Sequence, residues 1–227
     1  MNQDQIRHYL QMYLVVGSVN CKASDPITIV KAALSGGVTL VQFREKGADA
    51  LQGADLLRLA LQIQALCRAE GVPFIINDDV DLALEIDADG VHIGQDDENA
   101  GAVRAKIGDR ILGVSAHTVS EARFAMQQGA DYLGIGPIYP THSKDDAHEV
   151  QGTAILCELR ENGIHVPLVG IGGITEERAA EVIKAGADGV AVISAITEAK
   201  DVHETVVRMK SKVGNTLRER ITSQRLI

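Results

Sequence analysis

Gln42, Arg44 and Lys46 occupy alternate positions in TLVQFREKG, residues 39–47. On a strand, side chains two apart share a face, so one face carries an amide and two cations, and the other Val41, Phe43 and Glu45. A row of cationic donors suits an anionic ligand. Two aspartates follow, Asp78 in "NDD" (77–79) and Asp97 in "GQDD" (94–97). Carboxylates set side by side repel unless something positive lies between them. Oxygen ligands of this type suit Mg²⁺, which takes one or two carboxylates plus phosphate oxygens and water. Cations beside such a pair suggest a pyrophosphate. The plainer alternative is that Arg44 and Lys46 form rim salt bridges with these aspartates. The uncharged Asn77 and Ser115 near the same rim weigh against it. A second signal is "GIGGIT" (170–175), followed by "AVIS" (191–194). Glycine lets the backbone approach a phosphate closely, and a helix N-terminus beyond it favours the anion. The stretch comes late and lacks the G-x-G-x-x-G form, so it does not read as a dinucleotide fingerprint.

These residues must be positioned by the elements that carry them. Short, nearly continuous apolar runs lie at 13–17, 39–43, 73–77, 90–94, 111–116, 132–136, 167–172 and 189–194. Strands buried on both faces look like this. Each run precedes a segment with helical spacing, clearest between 49 and 70, where Leu56, Leu59, Ala60, Ile63 and Leu66 recur at three- and four-residue steps. Thr118 and Glu121 form a T-x-x-E capping box, and Thr175 begins a looser one near Glu177 and Arg178. Eight such units predict an α/β fold, a single (β/α)8 barrel over 1–227, with a core at about 13–212 and a C-terminal tail at 214–227 that reads as a frayed end or an extra helix; a doubly wound sheet is the alternative, but eight strands would be many for it. The active site of such a barrel lies where the strands end.

"IDADGVHIG" (86–94), "QGADYLGIG" (128–136) and "AGADGVAVI" (185–193) repeat an Ala-Asp turn leading into a strand, with "LSGGVTLVQ" (34–42) a looser copy. These aspartates read as structural, holding the turns before the strands. Of the histidines, His92 lies inside a strand and reads as a hydrogen-bonded core residue. His117 reads as either a helix-entry contact or a supporting group, and His142 as solvent-facing.

A net charge of −9 argues against general nucleic-acid or membrane-surface binding, so an anion must be held by a local cluster. Cys21, Cys67 and Cys157 have neither metal-ligand nor redox spacing and read as buried or partly buried thiols of a reducing cytoplasm. MNQDQIRHYL has no apolar run behind a basic start, so no signal peptide is expected. No apolar run approaches the roughly 20 residues of a membrane span.

Together these segments resemble the thiamine phosphate synthase family. The likeness rests on Q-x-R-x-K at 42–46, "NDD" at 77–79, "HIGQDD" at 92–97, "GVSAHT" at 113–118, "GPIYPTHSK" at 136–144, "GIGGI" at 170–174 and "VIS" at 192–194. It implies a transferase that couples hydroxymethylpyrimidine diphosphate to a thiazole phosphate, carboxylated or not, with loss of pyrophosphate. Residue by residue, it implies that Gln42, Arg44, Lys46, Asn77, Ser115 and Lys144 contact the pyrimidine diphosphate, with Arg44, Lys46, Ser115 and Lys144 taking part in catalysis. Asp78 and Asp97 would hold Mg²⁺. Thr141, Ser143, Gly173, Ile193 and Ser194 would hold the thiazole phosphate. Ser143 departs from the threonine usual in the family but keeps the hydroxyl. A thiazole tautomerase of the same superfamily is the alternative. It would not need the paired aspartates and full cation set. A sugar-phosphate isomerase would want an acid–base pair, and a non-catalytic phosphometabolite sensor could keep the binding residues without turnover. Small-molecule substrates are expected, without nucleic acid or membrane, and homo-oligomerisation is left open.

Overall fold

The computed structural model describes residues 2–22, 24–143 and 149–224. Eight parallel strands close into a barrel in chain order: β1 (Met12–Val16), β2 (Leu40–Phe43), β3 (Phe74–Asn77), β4 (Gly90–Ile93), β5 (Ile111–Ala116), β6 (Tyr132–Ile135), β7 (Leu168–Ile171) and β8 (Gly189–Val192), which pairs back onto β1. Every predicted run coincides with its strand to within two residues at either end. Helices α2 (Pro26–Gly36), α3 (Gly53–Ala69), α4 (Val80–Glu85), α5 (Ala100–Ile107), α6 (Val119–Gln127), α7 (Ala154–Glu161) and α8 (Glu176–Lys184) follow the first seven strands, and α9 (Ser194–Thr197) and α10 (Val202–Gln224) follow the eighth. This is the (β/α)8 architecture. None of the described helices is long and apolar enough to cross a membrane.

Alternation along each strand divides two cores. Tyr13, Val15, Leu40, Ile75, Ile111, Tyr132, Val169 and Ala191 fill the barrel interior, while Val41, Phe43, Ile76, Val91, Leu112 and Leu133 face the helices. An additional helix, α1 (Gln3–Leu10), precedes β1. Its Ile6 and Leu10, one helical turn apart, join the interior cluster and close the barrel beneath the strand starts. A helix this short is marginal alone. Burying each of these side chains contributes about 1.5–3 kcal/mol. The fit is close, because a Cβ on Gly189 would stand 1.7 Å from the Leu10 carbonyl oxygen.

The repeated aspartates do more than hold their own turns. Asp89 accepts from Phe74 N–H at 2.8 Å, Asp131 from Leu112 N–H at 2.9 Å and Asp188 from Leu168 N–H at 2.9 Å. Each therefore accepts from an amide at the start of the preceding strand, the first residue of β3 and β7 and the second of β5. Thr39, at the matching place in the looser copy, accepts from Met12 N–H at 2.9 Å. The strand starts are thus tied in pairs, β1–β2, β3–β4, β5–β6 and β7–β8.

Some local expectations need correction. Thr118 caps α6 through Glu121 N–H at 3.1 Å, but the Glu121 carboxylate returns to His117 N–H at 2.7 Å, one residue before the expected partner. Thr175 makes no side-chain cap to α8, because its hydroxyl is taken by Glu177 at 2.7 Å. Residues 214–224, expected as a tail, continue α10 through Gly214. Arg220 anchors them by donating to the Ile183 and Ala187 carbonyls, each at 2.7 Å. Cys21 and Cys67 are buried, and burial pushes both thiols up to about 12, whereas Cys157 is exposed.

Candidate active site

β2 delivers the cationic row to the rim where the strands finish. Gln42 faces the barrel interior, and Arg44 and Lys46 follow on the same face. Arg44 N–H extends the β1–β2 ladder by donating to Val16 O at 2.8 Å, and the residue is only 5 % exposed. Glu45, on the other face, clamps the neighbouring loops. Its carboxylate accepts from Ser18 N–H at 2.7 Å, from the Ser18 hydroxyl and from Leu51 N–H at 3.0 Å.

Lys46 Nζ lies 2.7 Å from Asp78 Oδ2. Asp78 follows β3 with φ 61°, a left-handed conformation that aspartate tolerates better than most residues, and its N–H donates to His92 O at 2.8 Å. Burial raises the Asp78 carboxyl above the usual range. Lys46 works against that rise, and the neighbouring Asp97 carboxylate adds to it. Asp97 is held in turn by Gly94 N–H at 2.7 Å. Two carboxylates from adjacent strand ends thus meet under mutual strain, which fits a divalent cation. Among the described residues no three His, Cys, Asp or Glu side chains gather. Further coordination would therefore come from ligand oxygens and water, the usual habit of Mg²⁺. The salt-bridge alternative accounts for Lys46 with Asp78 but, among the described residues, leaves Asp97 without a cation.

Across the rim, Ser115 on β5 places its hydroxyl 3.0 Å from His92 Nε2, and Gln95 Nε2 donates to Ser115 O at 2.6 Å. His92 is the hydrogen-bonded core histidine expected. His117 Nδ1 lies 3.1 Å from Glu121 Oε2 at the start of α6, a helix-entry contact, and His142 is exposed.

On the third side the loops after β6, β7 and β8 converge. Ser143 Oγ donates to Ser194 Oγ at 3.1 Å, Ser143 N–H to Thr141 Oγ1 at 3.3 Å and Asn20 Nδ2 to Ser143 O at 3.4 Å. Gly172 and Gly173 have φ 98° and 61°, and a Cβ on Gly173 would stand 2.4 Å from Pro140 O. Only glycine brings this backbone so close to the β6 loop. Arg178 secures it by donating to Gly173 O at 2.8 Å while its guanidinium sits 4.6 Å from the Tyr139 ring centre.

All three groups surround one cavity of about 230 Å³. Arg44, Lys46, Asn77, Asp78, Asp97 and Ser115 line one part, and Thr141, Ser143, Gly173, Ile193 and Ser194 another. A wider groove shares Arg44, Lys46 and the second set and adds Asn20, Lys22 and Arg178. Of the anticipated residues, Gln42 sits deeper, 2 % exposed and outside the cavity lining, with Nε2 donating to the Tyr13 hydroxyl at 2.5 Å. Lys144 falls outside the described residues. Sequence reasoning gave no site role to Asn20, Glu45, Gln95 or Arg178, whose polar side chains act through loop contacts that only the fold brings together. It also missed Tyr13 and Tyr132, which look like ordinary apolar strand residues.

Residues 12–196 match the model of the family described as thiamine monophosphate synthase. The chain belongs to this family. Among its members, the thiamine-phosphate synthase of Bacillus cereus (strain B4264) is 56 % identical over 214 residues, covering 94 % of this chain and 97 % of its own. The thiamine-phosphate synthase of Bacillus mycoides (strain KBAB4) is 54 % identical over 213 residues, covering 94 % and 97 %. The solved thiamine phosphate pyrophosphorylase from Pyrococcus furiosus superposes with a TM-score of 0.82 at 33 % identity, covering 93 % of this chain and 99 % of that one. This thiamine monophosphate synthase family member is accordingly a transferase of thiamine biosynthesis built on a (β/α)8 barrel.

Proposed function

We propose that this chain joins hydroxymethylpyrimidine diphosphate to a thiazole phosphate, carboxylated or not, giving thiamine phosphate and pyrophosphate in a Mg²⁺-dependent reaction. One observation carries the reading. A cation–carboxylate group and a glycine–hydroxyl group flank a common cavity, so that two phosphorylated substrates can meet there.

The C–O bond to the diphosphate breaks first, and its electron pair leaves with pyrophosphate. The pyrimidine methylene is left as a resonance-stabilised cation. The thiazole nitrogen then supplies the pair that forms the C–N bond. Arg44 and Lys46 face the departing oxygens, and Lys144, outside the described residues, is assigned to the same contact by the family resemblance alone. Asn77 and the Ser115 hydroxyl complete that contact, and Gln42 serves the pyrimidine from below. Donors held in place where charge develops stabilise the transition state more than the ground state. Mg²⁺ held by Asp78 and Asp97 would add positive charge to the diphosphate oxygens. Thr141, Ser143, Gly173, Ile193 and Ser194 hold the thiazole phosphate, so that its nitrogen attacks from a fixed position. For the uncarboxylated thiazole no proton transfer is required; the carboxylated one must also release CO2 and take up a proton from solvent at the carbon that lost it.

We extend the reading to one domain over 1–227 and a cytoplasmic location, where the buried thiols of Cys21 and Cys67 stay reduced. The test is to mix the purified protein with both substrates and follow thiamine phosphate by mass. Product should form with Mg²⁺ and stop with EDTA. Its absence under every metal condition would refute the proposal.

A further inference from the structure

Five polar side chains from five strands form an unbroken line through the barrel interior. Gln42 Nε2 donates to the Tyr13 hydroxyl at 2.5 Å, which lies 2.9 Å from the Tyr132 hydroxyl. The Tyr132 hydroxyl lies 2.9 Å from His92 Nδ1, and His92 Nε2 lies 3.0 Å from Ser115 Oγ. Tyr13 and Tyr132 are 1 % and 0 % exposed, and their neighbours inside the barrel are apolar. Buried polar groups are costly unless bonded, so each member depends on the next. The barrel is hollowed to hold the line. A Cβ on Gly113 would lie 2.2 Å from the Tyr132 ring and 2.5 Å from His92 Nδ1, and one on Gly134 3.0 Å from His92 Cε1.

The line has a direction. An amide nitrogen only donates. With Gln42 Nε2 on Tyr13, that hydroxyl gives its single hydrogen to Tyr132, and Tyr132 gives its own to His92 Nδ1. A neutral imidazole then carries hydrogen on Nε2 and donates to Ser115 Oγ. The Ser115 hydrogen is left to face the cavity. Turning the Gln42 amide round would reverse every bond, and Ser115 would then donate inward and offer the cavity only lone pairs. Burial raises both tyrosines well above their ordinary range, so both phenols stay protonated and the line transmits orientation rather than a proton. Gln42 Oε1 is buried with no hydrogen-bond partner among the described residues.

We propose that Tyr13, Tyr132 and His92 are positioning residues which, anchored by the Gln42 amide, hold the Ser115 hydroxyl as a hydrogen-bond donor toward the cavity. The proposal deepens the reading above, in which Ser115 faces the departing pyrophosphate, and rests on it.

The test is a double-mutant cycle of Tyr132→Phe and Ser115→Ala. It is read on kcat, on KM for the pyrimidine diphosphate and on the Kd of inorganic pyrophosphate with Mg²⁺, with melting temperatures alongside. Tyr132→Phe should lower kcat and weaken pyrophosphate by about 3- to 10-fold, the scale of one hydrogen bond, when Ser115 is present. In the Ser115→Ala background it should change either by less than about twofold, because its effect passes through that hydroxyl. Equal factors in both backgrounds, or no effect in either, would overturn the proposal. Should Tyr132→Phe fail to fold, Tyr13→Phe carries the same cycle with the same two outcomes. If the wild-type protein does not make thiamine phosphate, the functional reading falls, and the pyrophosphate cycle still decides the relay.

Discussion

Lys46 and Asp78 form an ion pair 2.7 Å long at the mouth of the barrel, and Asp97 stands beside it as a second carboxylate. The lysine offsets one negative charge of two. Without metal, the Asp78 carboxyl is held above its usual range by burial and by Asp97.

The first prediction concerns this pair. A raised carboxyl costs no stability at low pH, and the cost appears as pH rises through its folded value. Asp97→Asn removes one cause. In EDTA it should raise the melting temperature at pH 7–8, by about 2–4 °C for each 1 kcal/mol relieved, and the gain should vanish near pH 3–4. The same variant should lose the stabilisation that Mg²⁺ gives wild type. A lower melting temperature at every pH, with the Mg²⁺ response intact, would remove the metal assignment.

A second prediction separates the two rims. Asp188 is 7 % exposed at its side chain and lies 2.7 Å from Arg160, 3.1 Å from Arg220 and 3.8 Å from Arg7. Asp188→Ala would leave three arginines without that charge and Leu168 N–H without its acceptor. Breaking a buried pair costs about 3–5 kcal/mol. Chemical denaturation should show a loss of that order, while kcat per folded molecule stays near wild type. A large fall in kcat with stability unchanged would place Asp188 in the chemistry.

Much of this was legible beforehand because parallel strands buried on both faces appear as continuous apolar runs, and because glycine and aspartate punctuate their starts. The candidate site was legible for a related reason. Arg44, Asp78, Asp97 and Ser115 are polar residues at the ends of apolar runs, where core packing does not call for them. What escaped lies where that contrast is missing. Tyr13 and Tyr132 sit in runs so uniformly apolar that inward and outward faces cannot be told apart, and their hydroxyls find partners only through barrel closure. Helix α1 carries just two buried apolar residues, Ile6 and Leu10, too few for periodicity to announce it. Residues 214–224 read as a separate segment after the eighth helix, yet α10 runs through Gly214, with Val213 and Thr216 buried on either side.

A third prediction addresses the glycine loop. Gly173→Ala places a methyl 2.4 Å from Pro140 O at a φ of 61°. The loop must shift, at a strain of about 1–3 kcal/mol. KM for the thiazole phosphate should rise about tenfold or more, with KM for the pyrimidine diphosphate nearly unchanged and circular dichroism intact. Equal rises in both would argue against a separate thiazole phosphate site.

The most direct measurement is the steady-state kinetics of Arg44→Ala, because in the proposed reaction the β2 rim stabilises a departing pyrophosphate. Removing one preorganised donor to developing charge typically costs about 10²–10³ in kcat. Arg44→Ala should lose kcat on that scale with a milder change in KM. Arg44→Lys should recover only part, since a point charge does not reproduce a forked contact. Phe43→Leu, facing the helices one residue earlier, should cost under about 1.5 kcal/mol of stability and leave kcat per folded molecule unchanged. An Arg44→Ala protein that melts earlier yet turns over at the wild-type rate would contradict the account and leave Arg44 a structural residue of the rim.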